Sequence, residues 1–419
     1  MSTYPQFLML TLPINMLSSH NRFPAAKEDS DSWETESDNG SAENADPITV
    51  PPLIPVPASL AKPNDSLCDT CTAFDLTPGR FVILPGDTDA GSSNIKLGLV
   101  KDVKERSNSC PFCRLVLKAL SNGEVPDVED GEAVEVMISW NTDGPKQDPE
   151  RPWSHVPQIR ILSPTAQTES GGFVDLMKLN RFPEITLLAN DAPTPSKSYF
   201  AQLIKDQIDF SMVRNWLTMC HTRHGKFCNQ SRMLDREISD PAAEIPSLRL
   251  IDVVDNCVVP APPNCKYVGL SYVWGNVNPS SILRLLKANL GELEKPGSLF
   301  RKECYEKIPL TIRDAIKVVQ ELHLRYLWTD SLCIVQDDDS DQGSKFDAIS
   351  KMDLVYGAAY LTIVAANGTD ANAGLPGLHP GSRGVAQPVV EIAPGFRLAF
   401  KSRSEDYICN TVYHTRGWT

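Results

Sequence analysis

Four cysteines in two pairs, Cys68-x-x-Cys71 and Cys110-x-x-Cys113, carry the most specific chemistry in this 419-residue sequence. A C-x-x-C turn lets two thiolates reach one ion, and two such turns complete the tetrahedral shell of zinc at ~2.3 Å per sulfur. Such a shell keeps no position open for water, so zinc there is expected to be structural, adding folding energy to a region thin in apolar residues. Free cysteines that merely lie close together are the alternative. A thioredoxin-like redox pair is disfavoured, because neither pair reads as following a strand and opening a helix. Further on, Cys220, His221, His224 and Cys228 could hold a second ion, although the same residues suit a packed helix end.

A second constellation gathers at the ends of apolar runs. Tyr326–Asp339, YLWTDSLCIVQDDD, breaks from a short strand to Asp330-Ser331. Tyr267–Val273 stops at Trp274-Gly275-Asn276, and Tyr360–Ala366 stops at Asn367-Gly368. If these three strands are parallel, their carboxyl ends share one edge, which is where open parallel sheets bind ligands. Trp274, Gly275, Asn276, Asp330, Ser331, Asn367 and Gly368 are therefore the candidate crevice residues, with Asp330 and Trp274 the candidate catalytic groups. Against this, strand ends commonly turn with Gly, Asn and Asp for conformational reasons alone. Asp337, Asp338, Asp339 and Asp341 lack the spacing of a calcium loop and read as a solvated run before a helix. Cys333 with His323 or His379 could imitate a thiol nucleophile and base, but nothing supplies a third, orienting group. The sequence has no G-x-x-x-x-G-K-[ST] phosphate loop, G-x-S-x-G elbow or H-E-x-x-H helix, and those reaction classes fall away.

The elements that must position these residues follow from periodicity. Ala133–Ile138 and Val156–Leu162 read as strands, and Tyr199–Met219 as a helix with Phe200, Leu203, Ile204, Ile208, Met212, Val213 and Trp216 on one face. Leu248–Val254 is a strand. Ser281–Leu293 has helical spacing. Pro309-Leu310-Thr311 opens a helix that Thr311 can cap with Asp314 at the third position, lined by Ile312, Ala315, Ile316, Val319 and Leu322. Ser344–Ala358 is a further helix. Strand, helix, strand, helix, strand at this spacing predicts a mainly parallel α/β sheet flanked by helices, with right-handed crossovers.

Composition sets the organisation. Residues 1–66 are acidic, then Pro-rich, and read as a disordered tail; 67–262 form a mixed α+β, cysteine-containing region; 263–419 form the parallel domain. A net charge of −13 opposes a nucleic-acid-binding role. No run reaches the roughly 18 apolar residues of a membrane span, and C-x-x-C pairs without a disulfide framework suit a reducing, cytoplasmic setting.

YVGLSYVWG (Tyr267–Gly275), IPLTIRDAIKVVQELHLRYLWTDSLCIVQDDD (Ile308–Asp339), MDLVYGAAYLTIVAANGTDANAGLPG (Met352–Gly377) and the terminal TRGWT together resemble the fungal heterokaryon incompatibility (HET) domain. The region around Trp216, Cys220, His224 and Cys228 and the paired cysteines near the start resemble what often precedes that domain. The resemblance implies an intracellular fungal protein of non-self recognition whose domain signals growth arrest or programmed cell death through a protein partner or self-association. It also implies a distant likeness to TIR domains, some of which cleave NAD. NAD would then be a substrate, with Asp330 or a neighbour polarising the ribose and Trp274 stacking on a base. In the resembled family GWT runs on into a Gln-Glu pair, whereas this sequence stops at Thr419. A truncated domain is therefore expected, inactive as an enzyme if that glutamate is the functional carboxylate. A zinc-stabilised adaptor or inactive paralogue is the remaining reading.

Overall fold

The computed structural model describes residues 9–11, 55–57, 59–83, 94–121, 133–143, 159–174, 183–192, 200–223, 240–245, 247–340, 345–383, 387–401 and 411–415. In chain order the strands are β1 (Met9–Thr11), β2 (Asn94–Leu99), β3 (Val134–Asp143), β4 (Ile159–Thr168), β5 (Glu184–Leu187), β6 (Arg249–Asp252), β7 (Cys257–Pro260), β8 (Tyr267–Ser271), β9 (Tyr326–Trp328), β10 (Leu361–Val364), β11 (Val389–Ala393) and β12 (Phe396–Lys401). The helices that matter below are α1 (Asp69–Thr72), α2 (Val100–Arg106), α3 (Pro111–Ser121), α4 (Phe210–Arg223), α5 (Leu310–Glu321), α6 (Asp330–Cys333), α7 (Lys345–Ser350) and α8 (Met352–Gly357).

The chain forms two compact units, and both are discontinuous. One takes residues 1–7, 52–208 and 376–419; the other takes 8–51 and 209–375.

In the first unit the sheet runs β11-β12-β5-β4-β3-β2, and every neighbouring pair is antiparallel. Pro394-Gly395 turns β11 into β12; proline presets the first turn residue and Gly395, at φ +72°, supplies the left-handed second one. Phe81 ties distant segments together, its ring 5.1 Å from that of Trp140 and 6.2 Å from that of Phe396. The apolar face of α3 packs into the same core through Phe112, Leu115, Val116 and Ala119, all fully buried. Pro111 at the first helical position costs no hydrogen bond, because that amide has no partner within a helix.

In the second unit the sheet runs β1-β10-β8-β9-β6-β7. β8, YVGLS, is buried at all five positions, as befits a central strand covered on both faces. β10 and β9 pair with it in parallel, Leu361 opposite Val268 and Tyr326 opposite Tyr267. On α5, Ile312, Ala315, Ile316 and Val319 are buried.

A mainly parallel sheet was expected, and this expectation is overturned. Only β10–β8 and β8–β9 are parallel; β1–β10, β9–β6 and β6–β7 are antiparallel, and the other sheet is antiparallel throughout. The strand-helix-strand rhythm marks only the three strands that crossovers join. Partners brought in from residues 9–11 and 249–260 leave no mark in that rhythm.

Several local expectations also change. Residues 200–209 are not helical: Ala201 bonds the backbone of Leu187 and Ala189, and the Asp209 carboxylate accepts from the amides of Ser211 and Met212, which starts α4 there. Of Ser281–Leu293 only Leu290–Leu293 is helical. The helix expected over Ser344–Ala358 is two short ones, α7 and α8, parted at Lys351. Within the segment read as a tail, Met9–Thr11 form a strand, and 55–57 and 59–66 are also described.

Candidate functional site

The parallel strands β8, β9 and β10 carry their carboxyl ends to one edge of the second unit, and the residues that follow meet there. The Trp274 indole N–H donates to Asp330 Oδ2 at 2.9 Å, while Asp330 Oδ1 accepts from the Ser331 amide at 2.7 Å. Asp330 does not extend the strand; it opens the single turn α6, with Thr329 as the residue before it. The Tyr272 hydroxyl donates to Ser331 Oγ at 3.1 Å, and Gln336 Nε2 holds the Asp330 carbonyl at 2.8 Å. Burial, then the Asp330 charge, pushes the Tyr272 phenol well above its ordinary range, so it remains a neutral hydrogen-bond donor.

Gly275 sits at φ +67°, and a Cβ there would meet the Thr369 carbonyl at 2.6 Å and the Asp370 side chain. The segment after β10 therefore lies directly on the Trp274-Gly275 turn, and the Ala371 amide bonds the Trp274 carbonyl at 3.2 Å. Gly368 is buried and has somewhat more room, its Cβ position 2.9 Å from Ala373 Cβ. Asn367 is half-buried and Asn276 exposed. Trp274, Gly275, Asp330 and Ser331 thus share a continuous set of contacts with the segment at 369–371. Its chemistry is a carboxylate oriented by an indole beside a neutral phenol and a buried serine, with both carboxylate oxygens already accepting a bond.

Tyr272 and Gln336 escaped the sequence reading, and Thr311 and Asp314 were misread. Neither Thr311 nor Asp314 caps α5, whose N-cap is Pro309. Thr311 Oγ1 instead accepts the Gly374 amide at 3.1 Å, and Asp314 Oδ2 the Leu375 amide at 2.7 Å. The signal was present: Thr311, Asp314, Ala315 and Val318 fall at i, i+3, i+4 and i+7, a single stripe that the structure buries.

Other candidates fare differently. Burial pushes the Cys333 thiol up to about 12, which leaves no thiolate at neutral pH. In the acidic run, Asp337 accepts the Lys287 amide at 2.8 Å and Asp338 pairs with Lys287 Nζ at 2.9 Å. The Lys287 ammonium, then the Ser340 hydroxyl and amide, bring Asp338 down to about 2. Cys220 is buried in α4 and His221 is exposed, while His224, Cys228, Asp341 and the Gly-Trp-Thr terminus lie outside the described residues.

In the first unit the two C-x-x-C pairs converge. The Sγ atoms of Cys68, Cys71, Cys110 and Cys113 all lie within 4.8 Å of one another, with Cys68–Cys113 at 3.9 Å and Cys71–Cys113 at 3.5 Å. Sulfurs at ~2.3 Å from a tetrahedral ion are separated by ~3.8 Å, so the four thiols fit a metal ion closely. Cys68 immediately precedes α1, and Cys110–Cys113 open α3, a helix the sequence reading did not credit to that pair. The two loops are joined by the Ser66 amide on the Ser109 carbonyl and by Arg114 forking onto Asp65 at 2.6 and 2.7 Å. Hydrogen bonds from Cys113 and Cys71 pull the Cys110 thiol down, while Cys110 and burial push Cys71 up and Cys113 up to about 12. Although burial opposes it, Cys113, with Cys68 and Cys71, holds the Arg106 guanidinium above its ordinary range, so a fixed cation stands beside the four thiols.

No helix among the described residues is long and apolar enough to cross a membrane. No curated protein and no solved structure matches the chain. Residues 267–419 match the family described as Heterokaryon incompatibility protein (HET), a stretch that begins at β8, includes the Trp274–Asp330 edge and takes in β11 and β12 of the first unit. Residues 267–419 of this chain are therefore similar to a heterokaryon incompatibility domain.

Proposed function

We infer that this chain is an intracellular protein of fungal non-self recognition whose HET domain signals growth arrest and cell death on meeting a protein partner or another copy of itself. The observation that carries the reading is the family match over residues 267–419. The edge formed by Trp274, Gly275, Asn276, Asp330, Ser331, Asn367 and Gly368 is its ligand or partner crevice. The hydrogen bond between Trp274 and Asp330 supports the last assignment, because it draws together two residues 56 positions apart at the carboxyl ends of neighbouring parallel strands.

Zinc is the ion we assign to Cys68, Cys71, Cys110 and Cys113. Four thiol ligands at tetrahedral separations suit zinc, and a full sulfur shell suits a structural role. When bound, zinc would supply folding energy to the first unit. Around it, Arg106 offsets the charge of the thiolates, and the Asp65–Arg114 fork fixes the spacing of the two loops.

Expression of the full chain in a fungal host from an inducible promoter tests the signalling reading. Growth arrest, abolished at unchanged protein abundance by Asp330→Ala, supports it. Arrest accompanied by loss of cellular NAD points instead to a nucleotide-cleaving enzyme, and unarrested growth at full expression points to an adaptor.

A further inference from the structure

We propose that the outer edge of β10 is a strand-acceptor site and that its occupant in trans is residues 9–11 of a second copy of this chain. The site deepens the self-association of the preceding reading by naming its contact, and it is decided by binding on purified protein, separately from growth arrest in cells.

The observation is a strand addition that the chain makes with itself. Met9, Leu10 and Thr11 lie antiparallel to β10, opposite Val364, Ile363 and Thr362. This covers the last strand of the sheet on that side. β10, LTIV, has none of the devices that usually protect a sheet edge: it bears no charge, no proline and no bulge, and Leu361, Ile363 and Val364 are buried. The opposite edge, β7, is blunted by Pro260. A bare edge of this kind offers backbone donors and acceptors for affinity and alternating side-chain positions for selection, as strand-addition sites do.

The cover is small. β1 has three residues, and Pro13 follows two positions after its end. More than forty residues separate Thr11 from Pro55, the next described position. At up to ~3.4 Å per residue such a connection can reach either its own β10 or a neighbour's. The same backbone register serves both, so the choice between cis and trans is set by the protein concentration against the effective concentration of the tethered strand. Reciprocal exchange between two copies conserves every strand pairing, which is why identical elements swap at low cost.

The test uses the full chain with two substitutions of the donor strand. Leu10→Pro removes a backbone donor and fixes a φ unsuited to the ladder, and Leu10→Lys removes the apolar side chain while keeping that donor. The probe is a fluorescein-labelled peptide of residues 6–13. Both variants are expected to bind it saturably and at least tenfold tighter than the unsubstituted chain, whose own β1 competes. Amide exchange over residues 361–364 should rise about tenfold in the variants and fall again when peptide is added. In sedimentation, the unsubstituted chain should form a concentration-dependent dimer that both variants form at least tenfold more weakly. No peptide binding by either variant, or unchanged exchange over 361–364, overturns the acceptor site. An unsubstituted chain that stays monomeric at every concentration overturns the second-copy occupant. Thermal melting of both variants identifies one that has unfolded, and the other then decides.

Discussion

Gly275 and His323 hold the same kind of backbone conformation with opposite consequences for substitution. At Gly275, φ is +67° and a methyl group would press on the Thr369 carbonyl and the Asp370 side chain. Gly275→Ala is expected to cost about 1–3 kcal/mol in backbone strain and a similar amount in overpacking. Urea titration should show it as a lower midpoint, and the Trp274–Asp330 bond should loosen because both flank the displaced turn. His323 lies at φ +58° just past α5, where its amide bonds the Gln320 carbonyl and the next amide, of Leu324, bonds Val319. That pair of bonds is a Schellman ending, whose left-handed position glycine usually fills. His323 is exposed. Replacing it by glycine relieves ~1–2 kcal/mol of left-handed strain against ~0.5–1 kcal/mol of added chain entropy. His323→Gly should therefore raise stability by up to about 1.5 kcal/mol, read from the same titration.

The first turn of α5 and the segment 371–375 behave as a single element. Leu310 donates to Asn372 at 3.3 Å and Thr311 to the Ala371 carbonyl at 3.1 Å, while Thr311 and Asp314 side chains accept the Gly374 and Leu375 amides. Asp314→Ala leaves the buried Leu375 amide without this acceptor, at a cost of about 1–3 kcal/mol. Exchange over residues 371–375 should quicken while the interior of α5 stays protected; loss of the whole helix would mean that Asp314 acts as a cap after all. The same element shows what local sequence conveys. YVGLS, YLW and LTIV read as strands from local pattern alone, and Trp274, Gly275, Asp330 and Ser331 stand where those apolar runs end. The burial of Thr311 and Asp314 was also written in their spacing, but Ser/Thr-x-x-Asp spells a cap equally well, and only the position of residues 374–375 decides between the two. Strand pairing across long separations leaves no such trace. β5 pairs with β12 more than 200 residues away, and β1 with β10 more than 340 away. The alternation that predicted parallel crossovers could not reveal the antiparallel partners on either side.

At the scale of the molecule, charge and metal act on the two units differently. Burial alone would raise Asp65, Asp252 and Glu391. Arg114, Arg325 and the Leu60 and Ala61 amides with Ser59, respectively, outweigh it and hold all three below their ordinary range. Their stabilisation is complete above the unfolded carboxylate values near pH ~4 and disappears as pH falls through the lower folded values. Asp65 and Glu391 belong to one unit and Asp252 to the other, so melting temperature should fall in both units below about pH 4, and Asp252→Asn should flatten the response of the second alone. Metal removal should divide them. Cys71, Cys110 and Cys113 are part of the core that joins α3 to Phe81, Leu162, Ile185 and Leu398. Without an ion, four thiols crowd a largely buried space, and Cys110, held low, has the S–H groups of Cys113 and Cys71 and the backbone of Cys113 and Cys68 to offset its charge. A zinc chelator, or Cys113→Ser, is therefore expected to speed amide exchange in α3, β4 and β5 by at least tenfold and to leave β8, β9 and β10 unchanged. One zinc per chain by elemental analysis of the purified protein, falling below a tenth in Cys113→Ser, is the accompanying measurement. Equal loss of protection in both units would show that the ion supports the whole chain, and unchanged exchange in α3 would show that the four thiols hold that core together without it.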